Sequence, residues 1–223
     1  MNSGMRKIFV LVLCCLMSMH AFSQEKFEGD VSYVKTTFSD TIYYVYTIKD
    51  DCVRIDEYNK YKHPTRAYII NLLDKSVMVI NPNKKLYTKL ENFPVKDEFI
   101  QNMEVVHTGN YKYINGYKCS QWRVKNYEEN TEISYWMAGD NFNFYTPMSQ
   151  VAMSLEDHFL FYKALPQSKM QGVMPMLIEN KTLLRAPKST FTIMAINSHP
   201  VDASIFNLSQ YQKYENLGHV DKK

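Results

Sequence analysis

Glycine is scarce, with 7 in 223 residues. Neither a G-x-S-x-G nucleophile turn nor a glycine-rich phosphate loop occurs, so two common catalytic frameworks are excluded. Six histidines are present, but those after the N-terminal segment (His63, His107, His158, His199 and His219) include no two at metal-ligand spacing. No metal and no cofactor are therefore expected. A charge excess is missing as well. The chain carries 26 basic and 23 acidic residues, and setting aside Arg6 and Lys7 leaves 24 against 23, or +1. That balance gives no electrostatic footprint for nucleic acid. Repeats, linkers and low-complexity stretches are absent too.

What is present begins at the N-terminus. Arg6 and Lys7 precede an apolar run from Ile8 to Met19, followed by Ala21-Phe22-Ser23. Basic, apolar and small-residue regions in that order form a signal peptide, residues 1–23, with the exported chain starting near Gln24. Leu13, bulky and just before Cys14, argues against a lipid anchor there. Export leads to a periplasmic or otherwise secreted location. Of 4 cysteines, Cys14 and Cys15 fall in the signal and Cys52 and Cys119 remain. In an oxidising compartment this pair could bridge, adding roughly 4 kcal/mol on the chain-entropy view. The other reading is two separate small apolar side chains.

The remaining roughly 200 residues suit one domain, placed at 24–215 with a polar tail at 216–223. All 17 tyrosines lie in this part, a bias towards half-buried pleated surfaces. Alternation predicts strand after strand. Ile42, Tyr44, Tyr46 and Ile48 share one face, Asn81-Pro82-Asn83 marks a hairpin, and Asn115-Gly116 a tighter one. The expected fold is mainly β with some helix (α+β). It is an antiparallel meander of about eleven or twelve strands. One main helix over 146–164 packs across it, with Thr146 as cap, Pro147 in the first turn, and Met148, Val151, Ala152, Leu155, Phe159 and Tyr162 as an apolar stripe.

Three stretches carry a resemblance. Val53-Arg54-Ile55 gives an "xxR-apolar" strand, Asp74 to Pro82 gives a "D-K-x-apolar-x-apolar-x-N-P" hairpin, and Asn115 to Cys119 reads N-G-Y-K-C. In these the chain resembles LolA/LolB-type lipoprotein carriers, and in particular secreted LolA-like domains of Gram-negative envelopes. It departs from them in placing Lys75 where carriers usually place glycine. The resemblance implies that the meander is curved and forms an incompletely closed barrel, with the main helix covering the open side and a cavity that accepts acyl chains.

From that follows the expected function, a non-enzymatic periplasmic or envelope protein holding an apolar or lipidic ligand. The ligand could be part of a lipoprotein. The protein is expected to be a monomer, with peripheral envelope association and no nucleic-acid partner. Met148, Val151, Leu155 and Phe159 would form a lid over the cavity. Tyr44, Tyr46, Ile69, Met137, Met174 and Met176 would line the facing strands. Truncating a lid residue such as Phe159 would then cost less than the roughly 3–5 kcal/mol of a packed core aromatic. Two other readings stand beside this one. The first is an envelope interaction or structural module whose barrel is filled by its own side chains. The second, more distant, is a hydrolase, which needs convergent polar groups that the linear sequence does not display. Met170, Met174 and Met176 could be a fragment of a Cu(I) site, but with Val173, Leu177 and Ile178 interleaved they read as core.

Overall fold

Short alternating segments joined by turn-forming residues fold as neighbours, and a computed structural model, describing residues 26–91 and 97–214, realises this as one sheet. The expected signal peptide, 1–23, and the expected polar tail, 216–223, lie outside the described residues. Strand makes up 54% and helix 13%, so the class is β-dominated. The strands are β1 Gly29–Thr37, β2 Thr41–Lys49, β3 Cys52–Tyr58, β4 Pro64–Asn71, β5 Ser76–Asn81 and β6 Leu86–Leu90. After helix α1, Asp97–Gln101, come β7 Met103–Ile114, β8 Tyr117–Asn126 and β9 Thr131–Gly139. Helices α2, Tyr145–Val151, and α3, Asp157–Tyr162, lead to β10 Val173–Lys181, β11 Pro187–Ser198 and a two-residue β12, Gln212–Lys213.

The spatial order is β12-β6-β5-β4-β3-β2-β1-β11-β10-β9-β8-β7. Two meanders are thus joined where β1 pairs antiparallel with β11, Tyr33 opposite Ile193 and Lys35 opposite Phe191. Among the described residues only the β12–β6 pair is parallel. The sheet is not closed into a barrel, but it must curl. Laid flat, the ten spacings between β6 and β7 would separate those edges by about 48 Å. The thirteen steps from Leu90 to Met103 reach at most about 45 Å when fully extended. With α1 inside that segment, a flat sheet cannot be connected.

Turn chemistry is local and follows the sequence. Asn115 and Gly116 both take positive φ (50° and 83°), as a two-residue hairpin demands. Lys75 also lies in the left-handed region, at φ 54°. This is the position where the resemblance expects glycine, the residue that adopts this conformation without strain.

Two apolar clusters result. The larger gathers Val31, Tyr33, Tyr46, Ile55, Tyr135 and Ile178 from the strands with Met148, Phe159 and Tyr162 from the helices. The smaller, Ala67, Ile69 and Ile80, is covered by Phe206, Leu208 and Tyr211 of the C-terminal segment. Arg54 fastens that segment: its guanidinium donates to both Asp56 carboxylate oxygens at 2.8 Å and to the Ile205 carbonyl at 2.7 Å. It is a fixing residue rather than a free surface charge.

Two expectations need correction. The single helix over 146–164 is two short helices, broken at 152–156. Glu156 turns extended (φ −152°, ψ 140°) and its carboxylate accepts from Lys35 Nζ at 2.8 and 2.7 Å and from Tyr44 Oη at 3.0 Å. Hydrogen bonds to a charged group contribute about 1.5–3 kcal/mol each, enough to outweigh one turn of helix. Thr146 does not cap. Its hydroxyl donates to the Met170 carbonyl at 2.9 Å instead. Of the two readings left open for the cysteines, the separate one holds: Cys52 and Cys119 are free thiols. They stand on β3 and β8, six places apart in the sheet.

Candidate functional site

Where a curved sheet meets its covering helices, the fit decides between cavity and core. Beneath α2 and α3 it is core. Tyr33, Tyr46, Tyr135, Tyr145, Tyr162 and Phe159 are each less than 2% exposed. Tyr33 Oη donates to the Pro175 carbonyl at 2.9 Å and Tyr135 Oη to the His158 carbonyl at 2.6 Å, so the rings are anchored at their polar ends. Burial pushes the Tyr33 phenol well above its usual range and the Tyr162 phenol up to about 12, which keeps both neutral.

Of the ten residues expected to line a ligand cavity, eight belong to this packed interior: Tyr44, Tyr46, Met137, Met148, Val151, Phe159, Met174 and Met176. Leu155, in the break between the helices, packs against it. Ile69 is on the other face, under the C-terminal segment. Its neighbour Ile70 takes the inward position, since a shift of one residue along a strand reverses the face.

An opening does exist at the β7–β9 end, where the loop after α3 meets the strands. It is a cleft of about 290 Å³ lined by Trp122, Met137, Met170 and Val173 together with His107, Tyr111, Ser120, Gly139, Lys118 and Lys169. Trp122, Met137 and Met170 are members of the main core, so the cleft floor is apolar and continuous with it. The walls are amphipathic. His107 stacks on Trp122 at 4.4 Å between ring centres. Lys118 Nζ lies 4.6 Å from the Tyr111 ring centre and Lys169 Nζ 5.9 Å from that of Trp122. Gly172 sets the loop's approach. At φ +67°, its missing Cβ would fall 2.6 Å from the Asp140 carbonyl oxygen.

Of this set the sequence pattern points to Met137 alone as a lining residue; His107 enters there as a candidate metal ligand and Met170 as part of a thioether line. The available signal was the pairing of rare tryptophan with lysine-rich turns, since the chain has 2 tryptophans and one of them stands six residues after Asn115-Gly116.

A smaller polar chamber of about 50 Å³ lies between α3 and β10–β11, lined by Lys35, Glu156, Asp157, His158, Asn180 and Ser189 with Ile178 and Phe191. His158 Nε2 and Asn180 Oδ1 are buried there without a hydrogen-bond partner. Burial, with Lys35 nearby, pushes the His158 imidazole down to about 3, so it is neutral. The volume suits one or two water molecules. Among the described residues no three of His, Cys, Asp and Glu gather as a metal site.

The sequence profile of the DUF4412 family, described as a domain of unknown function, matches residues 27–214. The chain belongs to that family. In this DUF4412 chain the matched span takes in every strand, both clusters and the cleft. Among solved structures it is similar to PNGF-II, with 12% identity in two crystal forms and TM-scores of 0.43 and 0.41. Those alignments cover 84% of this chain but only 30% and 31% of PNGF-II, so it spans about a third of that protein. A DUF1329 family protein from Desulfovibrio piger aligns at 10% identity and a TM-score of 0.36, over 90% of this chain and 96% of that one. No curated protein matches the sequence.

Proposed function

We propose that this DUF4412 chain is an exported, non-enzymatic envelope protein, LolA-like in fold, that binds an apolar or amphipathic ligand at the β7–β9 cleft. The cleft carries the reading. It joins an apolar floor of Trp122, Met137 and Met170 to a rim open to solvent. Its volume of about 290 Å³ falls at the lower end of small-molecule sites. Methionine suits such a floor because its flexible thioether adapts to differently shaped chains. The protein acts as a periplasmic or secreted monomer, and its exposed tyrosines allow peripheral association with the envelope. The ligand enters beside the helices, not beneath them, because the space beneath is occupied by the protein's own rings.

Those rings favour a second reading, an envelope interaction or structural module with a filled interior. Native mass spectrometry of protein purified from its own envelope separates the two. A co-purified small amphiphile that disappears in Ser120→Trp, a change that fills the cleft from β8, is the expected result. A ligand-free protein that also takes up no added apolar probe would leave the filled module. N-terminal sequencing of the exported protein is expected to begin near Gln24, and a start at Met1 would remove the export reading.

A further inference from the structure

Resting on the cleft as the binding site, we infer that its ligand is anionic: a single-chain amphiphile whose carboxylate or phosphate end is held between Lys118 and Lys169. Three observations carry this. First, the cleft's charged lining is of one sign. Lys118 and Lys169 contribute ammonium groups, His107 an imidazole, and no carboxylate lines it. Second, these two lysines, both exposed at the cleft rim, are held differently from several partly buried lysines of the strands. Lys35, Lys49, Lys125 and Lys181 each donate to a glutamate. Lys118 and Lys169 lie instead over the faces of Tyr111 and Trp122, and among the described residues neither meets an acid. A ring face orients an ammonium group without neutralising it, so both charges stay available. Third, the two cations come from separate segments, Lys118 from β8 and Lys169 from the loop after α3, and both line the one cleft. An anion at the rim meets both while its chain runs over Met137, Met170 and Val173.

A carboxylate and a phosphate monoester both satisfy this chemistry, and a matched series tells them apart. Isothermal titration of the full exported chain with decanoate, decyl phosphate and decanol is the test, with inorganic phosphate as a chainless control. Both anions are expected to bind at least tenfold more tightly than decanol, and the tighter of the two identifies the headgroup. In Lys118→Gln/Lys169→Gln that advantage should vanish, and Lys118→Arg/Lys169→Arg should restore it. An unchanged circular dichroism spectrum and melting temperature show that the glutamine variant is folded. If all three chains bind equally, the cleft reading survives and the anion inference falls. Inorganic phosphate binding as tightly as decyl phosphate would reduce the site to an ion site and overturn the amphiphile. If nothing binds, the cleft reading itself fails and takes this inference with it.

Discussion

His158 is 7% exposed and its Nε2 has no partner, so its protonation is the most sharply defined linkage at the level of single residues. The imidazole titrates at 6.5 when unconstrained and at about 3 in the fold, held down by burial and then by Lys35. Between those values the unfolded chain takes up a proton that the native chain refuses. This contribution to stability is complete above pH 6.5 and declines as pH falls, by at most about 1.4 kcal/mol per pH unit. His199 is shifted the other way by the Pro200 carbonyl and by Asp30, so its effect belongs to higher pH. Urea midpoints measured between pH 6 and pH 5 should therefore drop in the wild type and hold nearly level in His158→Gln. Equal slopes would mean the ring is not held neutral. Phe159, 1% exposed and 6.3 Å from the Tyr145 ring, is a core residue and not a pocket wall. Phe159→Ala is accordingly expected to cost the full amount of about 3–5 kcal/mol in chemical denaturation. A loss below about 2 kcal/mol would restore the idea of a partly empty space under the helices.

At the scale of elements, the break between α2 and α3 shows how a helical pattern yields to a tertiary contact. The apolar spacing from Met148 to Tyr162 fits one continuous helix, and no proline interrupts it. What bends the chain is Glu156, whose partners Lys35 and Tyr44 are more than a hundred residues away. Glu156→Ala is predicted to cost about 1–3 kcal/mol because it removes the partly buried ion pair with Lys35 and the acceptor of the Tyr44 hydroxyl. Circular dichroism should show helix content steady or slightly raised, since the residue that holds the break open is gone. A fall in helix content would place the cause of the break elsewhere. The strands behaved differently. Their alternation, and the turns at Asn115-Gly116 and Lys75, were legible because strand faces and hairpin dihedrals are set within a few residues. The face of β4 was misread at Ile69 because Tyr68, Ile69 and Ile70 are all apolar, and alternation cannot choose between them when both faces are covered.

For the whole molecule, the free Cys52 and Cys119 lead to a redox prediction. Peptide mapping without reductant should find no link between them, and adding reductant should leave the melting temperature unmoved; a linked peptide would show that the two wings of the sheet can meet. The sequence by itself determined the class, the strand alternation and the hairpins, along with the lack of any glycine loop or histidine metal motif. These follow from periods of two residues and from local backbone preference, which need no knowledge of distant parts of the chain. Only the tertiary structure decided that β1 pairs with β11, that the interior is filled with anchored aromatic rings, and that an opening lies beside Trp122 and Met137. Each depends on shape complementarity between segments far apart in sequence. Whether a concave face is a core or a cavity is settled by how side-chain volumes fit together, and neither composition nor periodicity records that fit.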